Sequence, residues 1–134
     1  MRRSFCVVLI VSTLCISVVL LFLFKNKVKL NVIENAEIIF VYENMQIYEP
    51  VNEQELLMIQ SILDGKFFYA DNPSCGFSKQ IALRINGEYT FCFARDACPI
   101  LYWDEKDVYI QLTEEEKGKL HNLIEKYGGI FPCL

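Results

Sequence analysis

Histidine is almost missing from this chain, since His121 is the only one among 134 residues. A catalytic cysteine or serine is usually activated by a neighbouring histidine, and many catalytic zinc sites use histidine ligands. The chain also has no glycine-rich phosphate loop, no G-x-S-x-G and no H-E-x-x-H motif. His121 lies at the border of an apolar helical stripe, where a packing role is expected. We therefore expect no catalytic residues, no cofactor and no bound metal, and we predict that the protein is not an enzyme.

Charge is absent from residues 5–24, an unbroken run of twenty uncharged residues. At about 1.5 Å per residue, a helix of this length spans roughly 30 Å, the thickness of a hydrocarbon core. FKNKVK follows the run, instead of the small-x-small site of a cleaved signal peptide. We predict that residues 1–24 form a single-pass membrane anchor that contacts the lipid bilayer through residues 5–24. Arg2 and Arg3 favour a cytosolic N-terminus, which places the soluble part outside the cytoplasm.

Positive charge is scarce in residues 25–134. Without Arg2 and Arg3, eleven Lys and Arg residues remain against 17 acidic residues, which gives a net charge of −6. An acidic surface repels phosphate backbones, so nucleic acid is excluded as a partner. The partner expected for this part of the chain is a protein.

The order of predicted elements indicates an α+β fold. Residues 25–35 read as a stalk, and residues 36–134 read as one small domain with β-rich segments and two amphipathic helices. Asn52 with Glu55, and Thr113 with Glu116, have the spacing of capping boxes that begin the helices. We predict an antiparallel sheet of about five or six strands, with both helices on one face and one N-terminal transmembrane helix before it.

The segment from residue 80 to 94 is predicted to be a hairpin whose register can be argued. A three-residue loop at 85–87, with Gly87 in a left-handed conformation, places Arg84 opposite Glu88. Cys92 then belongs to the face opposite the apolar one. The apolar face collects Ile81, Leu83, Tyr89, Phe91 and Phe93. A second hairpin, with a four-residue loop at 104–107, places Trp103 opposite Val108.

Four cysteines lie outside the predicted anchor: Cys75, Cys92, Cys98 and Cys133. An even number in an exported small domain predicts disulfide bonds, with three possible connectivities. The positions of Cys75 in a turn-rich loop and Cys133 in the tail favour that pair, with Cys92 bonded to Cys98. A structural zinc site remains an alternative, although no two of these cysteines have the usual close spacing. A redox thiol also remains open, although the chain has no C-x-x-C.

A set of motifs in residues 67–134 resembles a family of small, uncharacterised proteins of Gram-positive bacteria. The motifs are DNPSCGF at 71–77, DACPI at 96–100, a T-x-E-E helix start at 113–116 and YGG-x-FPC at 127–133. The resemblance implies a bacterial, membrane-associated protein of unassigned function. It also implies a cysteine at the position of Arg95, which would make a C-x-x-C with Cys98. The arginine in this chain therefore argues against a redox or metal role.

These observations favour a membrane-anchored, extracytoplasmic domain with a non-enzymatic binding, accessory or sensory role. The first alternative is a thiol-active or metal-binding protein built on the cysteines. The second is an inhibitor or immunity-type protein that blocks a partner's site with the hairpin carrying Trp103.

Overall fold

The structure is a computed structural model that describes residues 2–30, 32–96 and 98–131, without the side chains of residues 2–7 and 22–24. An N-terminal helix, α1, runs from Arg2 to Lys25. Among the described residues, no helix meets both the length and the apolar character needed to cross a membrane.

Seven antiparallel strands form one sheet in the order β2-β1-β4-β5-β6-β7-β3. The α+β class and the antiparallel sheet are confirmed, and the described sheet has one strand more than the upper predicted number. The bounds of the remaining elements are β1 Ala36–Tyr42, β2 Met45–Pro50, α2 Glu53–Leu63, β3 Phe68–Tyr69, β4 Phe77–Ile85, β5 Tyr89–Ala94, β6 Ile100–Trp103, β7 Val108–Gln111 and α3 Glu114–Lys126.

One face of the sheet packs against α2 and α3 and holds the main core. Successive side chains of a strand point to opposite faces, so alternate residues of each strand enter this core. The sheet contributes Ile38, Leu83, Phe91, Leu101 and Ile110, all at most 1% exposed. The helices bury two triplets of apolar residues against it: Ile59, Ile62 and Leu63 from α2, and Leu120, Leu123 and Ile124 from α3.

The stalk predicted at residues 25–35 is wrong, because the described part of this segment packs against the domain. Val28, Leu30 and Ile33 belong to the main core and are at most 8% exposed. The backbone N–H of Val28 donates to the carbonyl of Lys66 at 2.7 Å. Burial of three apolar side chains offsets the entropy that is lost when this short segment becomes ordered. The sequence alone does not show which residues pack against the segment, so this burial was not predicted.

The hairpin of β4 and β5 has the predicted faces but a different register. Arg84 lies opposite Thr90, and Leu83 lies opposite Phe91, so the loop is residues 86–88. The predicted pairing of Arg84 with Glu88 is wrong by two residues, a shift that leaves every side chain on its predicted face. The loop sits one residue later because Asn86 takes the first left-handed position, at φ +51°, before Gly87 at φ +68°.

The second hairpin and the helix starts match their predictions. Trp103 pairs with Val108 across the loop at 104–107. Helices α2 and α3 both begin with a complete capping box. The side chain of the capping residue accepts from the third helical N–H, and the glutamate at that third position accepts from the backbone N–H of the capping residue. These features depend on neighbouring residues only, which explains why spacing alone was sufficient to find them.

Glu55 joins the capping box of α2 to the end of α3. Its carboxylate accepts hydrogen bonds from the backbone N–H of Asn52 at 2.9 Å, from Lys126 at 2.6 Å and from the Tyr127 hydroxyl at 2.6 Å. Burial raises the pKa of Glu55, but the bonds from Lys126, Tyr127 and Asn52 together outweigh it and hold the pKa below its ordinary 4.5.

Replacing Glu55 by glutamine is expected to lower the free energy of unfolding by about 1 kcal/mol at pH 7, because the ion pair and part of the cap are lost. Since the folded pKa is lowered from 4.5, the stabilisation by Glu55 is present above that pH. It disappears as the pH falls through the folded value. Urea unfolding at several pH values measures the difference. Glu53→Gln removes an acid from the same helical turn and serves as the control, and equal losses in both variants would contradict the role of Glu55.

Candidate functional site

Strand β4 departs from its ladder with β5 over a long bulge. Phe77 pairs with Ala94 and Ala82 pairs with Cys92, so the four residues 78–81 lie opposite Phe93 alone. Within the bulge, the Ser78 hydroxyl accepts a hydrogen bond from the backbone N–H of Gln80 at 3.2 Å. Bulges are over-represented next to binding and active sites, because they redirect side chains and open the sheet locally.

A cavity of about 190 Å³ lies beside this bulge, and we call it the bulge pocket. It opens where β1, β4, β5 and the segment after α3 meet. Its polar groups are Ser78, Gln80 and Arg95, and its apolar walls are Val41, Ile81, Phe93, Ala94 and Ile130. A mostly apolar cavity with a few convergent polar groups has the composition of a ligand-binding site.

The rim of the bulge pocket continues into an exposed apolar tip. Strand β1 pairs with β4 only as far as Phe40, so Val41, Tyr42 and the turn that follows are not paired with β4. We call residues 41–45 the hairpin tip. Its exposed apolar side chains are Val41 at 41%, Tyr42 at 53% and Met45 at 59%, and Ile130 across the pocket is 76% exposed. Clustered exposed apolar residues of this kind mark interaction sites.

Arg95 supplies the positive charge of the bulge pocket. Its backbone N–H donates to the carbonyl of Gly76 at 2.8 Å, which holds the residue at the end of β5. Within the described ranges, no acidic side chain forms an ion pair with its guanidinium group. The group is therefore available to an anion, although residues 25–134 carry a net negative charge.

A disulfide bond joins Cys75 to Cys98, with 6.6 Å between their Cα atoms. The preferred pairings, Cys75 with Cys133 and Cys92 with Cys98, are therefore wrong. The pairing of Phe77 with Ala94 brings the loops before β4 and after β5 together, and the bonded cysteines lie in these loops. Cys133 lies outside the described residues. The disulfide fixes the two loops that flank Arg95.

Cys92 is a buried thiol on the sheet face opposite the helices. It is 1% exposed and packs with Ile39, Ala82, Phe77 and Tyr102. Burial raises the pKa of the Cys92 thiol to about 12, and the negative charge of Asp104 adds to the effect. A thiol with this pKa is almost entirely protonated at neutral pH, so it is a poor nucleophile and a poor metal ligand.

Alkylation provides a direct test of this burial. Iodoacetamide at pH 8 is expected to leave Cys92 unmodified in the folded protein, because only about one thiol in ten thousand is ionised at that pH and access is blocked. After denaturation in urea the same peptide should be fully labelled. Mass spectrometry of the digested protein reads both states. Rapid labelling of Cys92 in the folded chain would show that the side chains packed around it move aside readily.

His121 takes the packing role expected from the sequence. Its ring stacks on Phe131 with centroids 3.9 Å apart and lies edge-on to Phe93 at 5.9 Å. Burial lowers the pKa of His121, and the positive charge of Lys117 lowers it further. A neutral imidazole behind Phe93 thus supports one wall of the bulge pocket.

The hairpin of β6 and β7 does not expose the Trp103 side chain. Trp103 is 1% exposed and lies in the main core. The acidic residues of its turn bond within the fold, as Asp104 pairs with Lys79 at 2.6 Å and Glu105 accepts from the Thr90 N–H at 2.8 Å. Trp103 is therefore a core residue and not an exposed contact of this hairpin, and the inhibitor or immunity-type role of the hairpin stays a prediction.

The sequence analysis identified the cysteines but missed the bulge pocket. The polar run Ser78-Lys79-Gln80 at the start of a strand was a possible signal of irregular pairing, and Ile130 in the tail gave no signal at all. Comparison with protein-family models, with curated protein sequences and with solved structures found no match for this chain.

Proposed function

We propose that this protein is a membrane-anchored, extracytoplasmic domain with a non-enzymatic role, which binds a protein partner through the bulge pocket and the hairpin tip. The observation that carries the proposal is the position of the pocket directly beside exposed apolar residues, with Arg95, which has no acidic partner among the described residues, in its lining. Apolar anchors next to an arginine are typical of sites that dominate protein recognition. An accessory or sensory task for a neighbouring membrane protein fits this arrangement.

The properties of α1 support the anchoring part of the proposal. Its large apolar side chains between Val8 and Leu21 are between 48% and 70% exposed. The hydroxyls of Ser12, Thr13 and Ser17 donate to carbonyls of the same helix, so they are satisfied without water. The exposed apolar side chains of this stretch, within the uncharged run of residues 5–24, are suited to contact with lipid. The resemblance to membrane-associated bacterial proteins points the same way.

The disulfide supports an extracytoplasmic position for the domain. Bonds such as that between Cys75 and Cys98 form and persist in oxidising compartments and are rare in the cytosol. Together with Arg2 and Arg3 before the apolar run, the disulfide favours an N-terminus in the cytoplasm and a domain outside the cytoplasm. Protease added to intact cells should then remove the domain, whereas a cytosolic domain would be cleaved only after lysis.

Site-directed photocrosslinking in the native membrane tests the binding surface. A photoreactive residue at position 41 or 130 is expected to give one shared adduct, because both positions border the bulge pocket. The same residue at Lys119, on the exposed side of α3, is the control. Adducts of equal yield from all three positions, or none from positions 41 and 130, would contradict the proposed surface.

The alternative of a cysteine-based function has one observation in its favour. The sulfurs of Cys75 and Cys98 and a carboxylate oxygen of Asp96 all lie within 4.8 Å of one another. Reduction would provide two thiolates beside a carboxylate, which is a partial zinc ligand set. Stoichiometric zinc binding by the reduced chain, lost in Cys98→Ser, would support this alternative over partner binding.

A further inference from the structure

We propose that the bulge pocket recognises an apolar carboxylate, meaning a ring or branched aliphatic group next to a carboxylate. This inference rests on the proposed function and names the ligand chemistry of the same site. The same chemistry occurs in a free N-acylated amino acid and at the C-terminus of a peptide chain.

The volume of the pocket sets the size of the apolar group. The cavity holds about 190 Å³, and a protein cavity of about 150 Å³ lined by Leu, Ile and Phe accommodates benzene. A phenylalanine or leucine side chain therefore fits between Val41, Phe93 and Ile130. Since Val41 and Ile130 are both partly exposed at the rim, burial of the ligand would also cover apolar surface of the protein.

The polar groups of the pocket select a negative head group. The guanidinium of Arg95 is planar and binds a carboxylate through two parallel hydrogen bonds. The Ser78 oxygen already accepts from the Gln80 N–H, so its hydroxyl hydrogen remains available to donate to an anion. The side-chain amide of Gln80 also lines the pocket and provides further donors.

The acidic side chains of Asp96 and Asp104 do not line the bulge pocket. Asp96 follows Arg95 in the chain, but its carboxylate lies beside the sulfurs of Cys75 and Cys98. Asp104 is paired with Lys79 at 2.6 Å. Neither aspartate is among the residues that line the bulge pocket, so the positive charge of Arg95 dominates its polar side.

The test uses the full-length chain in lipid nanodiscs, with labelled valine and isoleucine methyl groups followed by NMR. N-acetyl-phenylalanine, with about fifteen non-hydrogen atoms, is expected to shift the Val41 and Ile130 methyl signals with a Kd of about 1 mM. N-acetyl-phenylalanine amide, which has no charge, should bind at least about tenfold more weakly. A short peptide ending in phenylalanine, with a free or an amidated C-terminus, distinguishes a protein terminus from a small molecule.

The exposed Arg95 and the half-buried Arg84 provide a pair of arginine variants, one inside and one outside the bulge pocket. Arg95→Gln is expected to reduce binding of the acid to the level of the amide, whereas Arg84→Gln, next to Glu37 and away from the pocket, should leave binding unchanged. Saturating shifts with either carboxylate source that depend on Arg95 support the proposal. Equal binding of acid and amide, no effect of Arg95→Gln, or no saturating shift would overturn it. Successful photocrosslinking at positions 41 and 130 in that event would leave the partner-binding function intact and reject only this ligand class.

Discussion

Replacing Trp103 by alanine is expected to lower the free energy of unfolding by about 3–5 kcal/mol, the usual loss when a large aromatic side chain is removed from a core. Trp103 is 1% exposed and lies in the main core. Its indole contacts three aromatic rings, with centroid distances of 5.1 Å to Phe91, 5.6 Å to Tyr89 and 6.1 Å to Phe68. The ammonium of Lys106 lies 4.2 Å from the ring centroid and adds a cation–π contact.

Trp103→Phe is the matched control, because it keeps an aromatic ring in the cluster. The indole N–H of Trp103 is buried and has no hydrogen-bond partner among the described residues. An orphan donor of this kind costs roughly 1–3 kcal/mol, so its removal offsets part of the lost volume. We expect Trp103→Phe to cost about 1 kcal/mol.

Far-UV circular dichroism in urea measures both variants, since the only tryptophan of the chain is the one replaced. A loss below about 1 kcal/mol for Trp103→Ala would mean that this cluster does not form the centre of the core.

Removing the disulfide by the double substitution Cys75→Ser and Cys98→Ser is expected to lower the free energy of unfolding by about 3 kcal/mol. The two cysteines are 23 residues apart, and closing a loop of this length in the unfolded chain accounts for a loss of about that size. Urea unfolding with and without a reductant measures it. The reductant should destabilise the natural chain by a similar amount and should have no effect on the double variant.

The local consequence of losing the disulfide is expected at the sheet face that carries Cys92. Phe77, two residues after Cys75, packs its ring 5.8 Å from Tyr102 and 5.4 Å from Tyr109. Without the disulfide, the loop before Phe77 should move more, so the Phe77 ring should leave its place over this face more often. The alkylation rate of Cys92 in the folded protein should therefore rise.

Cys92→Ala is the control, because it removes a buried thiol that is not part of the disulfide. Its unfolding should stay sensitive to the reductant. Insensitivity of the natural chain to the reductant would contradict the assignment of Cys75 and Cys98 as a stabilising pair.

Local sequence determined the elements that depend on near neighbours. The capping boxes at Asn52 and Thr113 need only residues three apart. The left-handed Gly87 marks a turn, and alternation along β4 and β5 assigns each side chain to a face. These features are set by backbone sterics and short-range hydrogen bonds, so spacing and residue type are sufficient to predict them.

Only the tertiary structure decided how distant segments meet. The insertion of β4 between β1 and β5, the burial of Val28 and the bond between Cys75 and Cys98 all join residues far apart in the chain. The bulge pocket depends on the same long-range pairing, since its walls come from four separate segments. Alternation fixes which face a residue occupies but not which strand lies beside it, because many pairings satisfy the same pattern. Packing against the rest of the fold selects one of them, and with it the position of Arg95 in the candidate site.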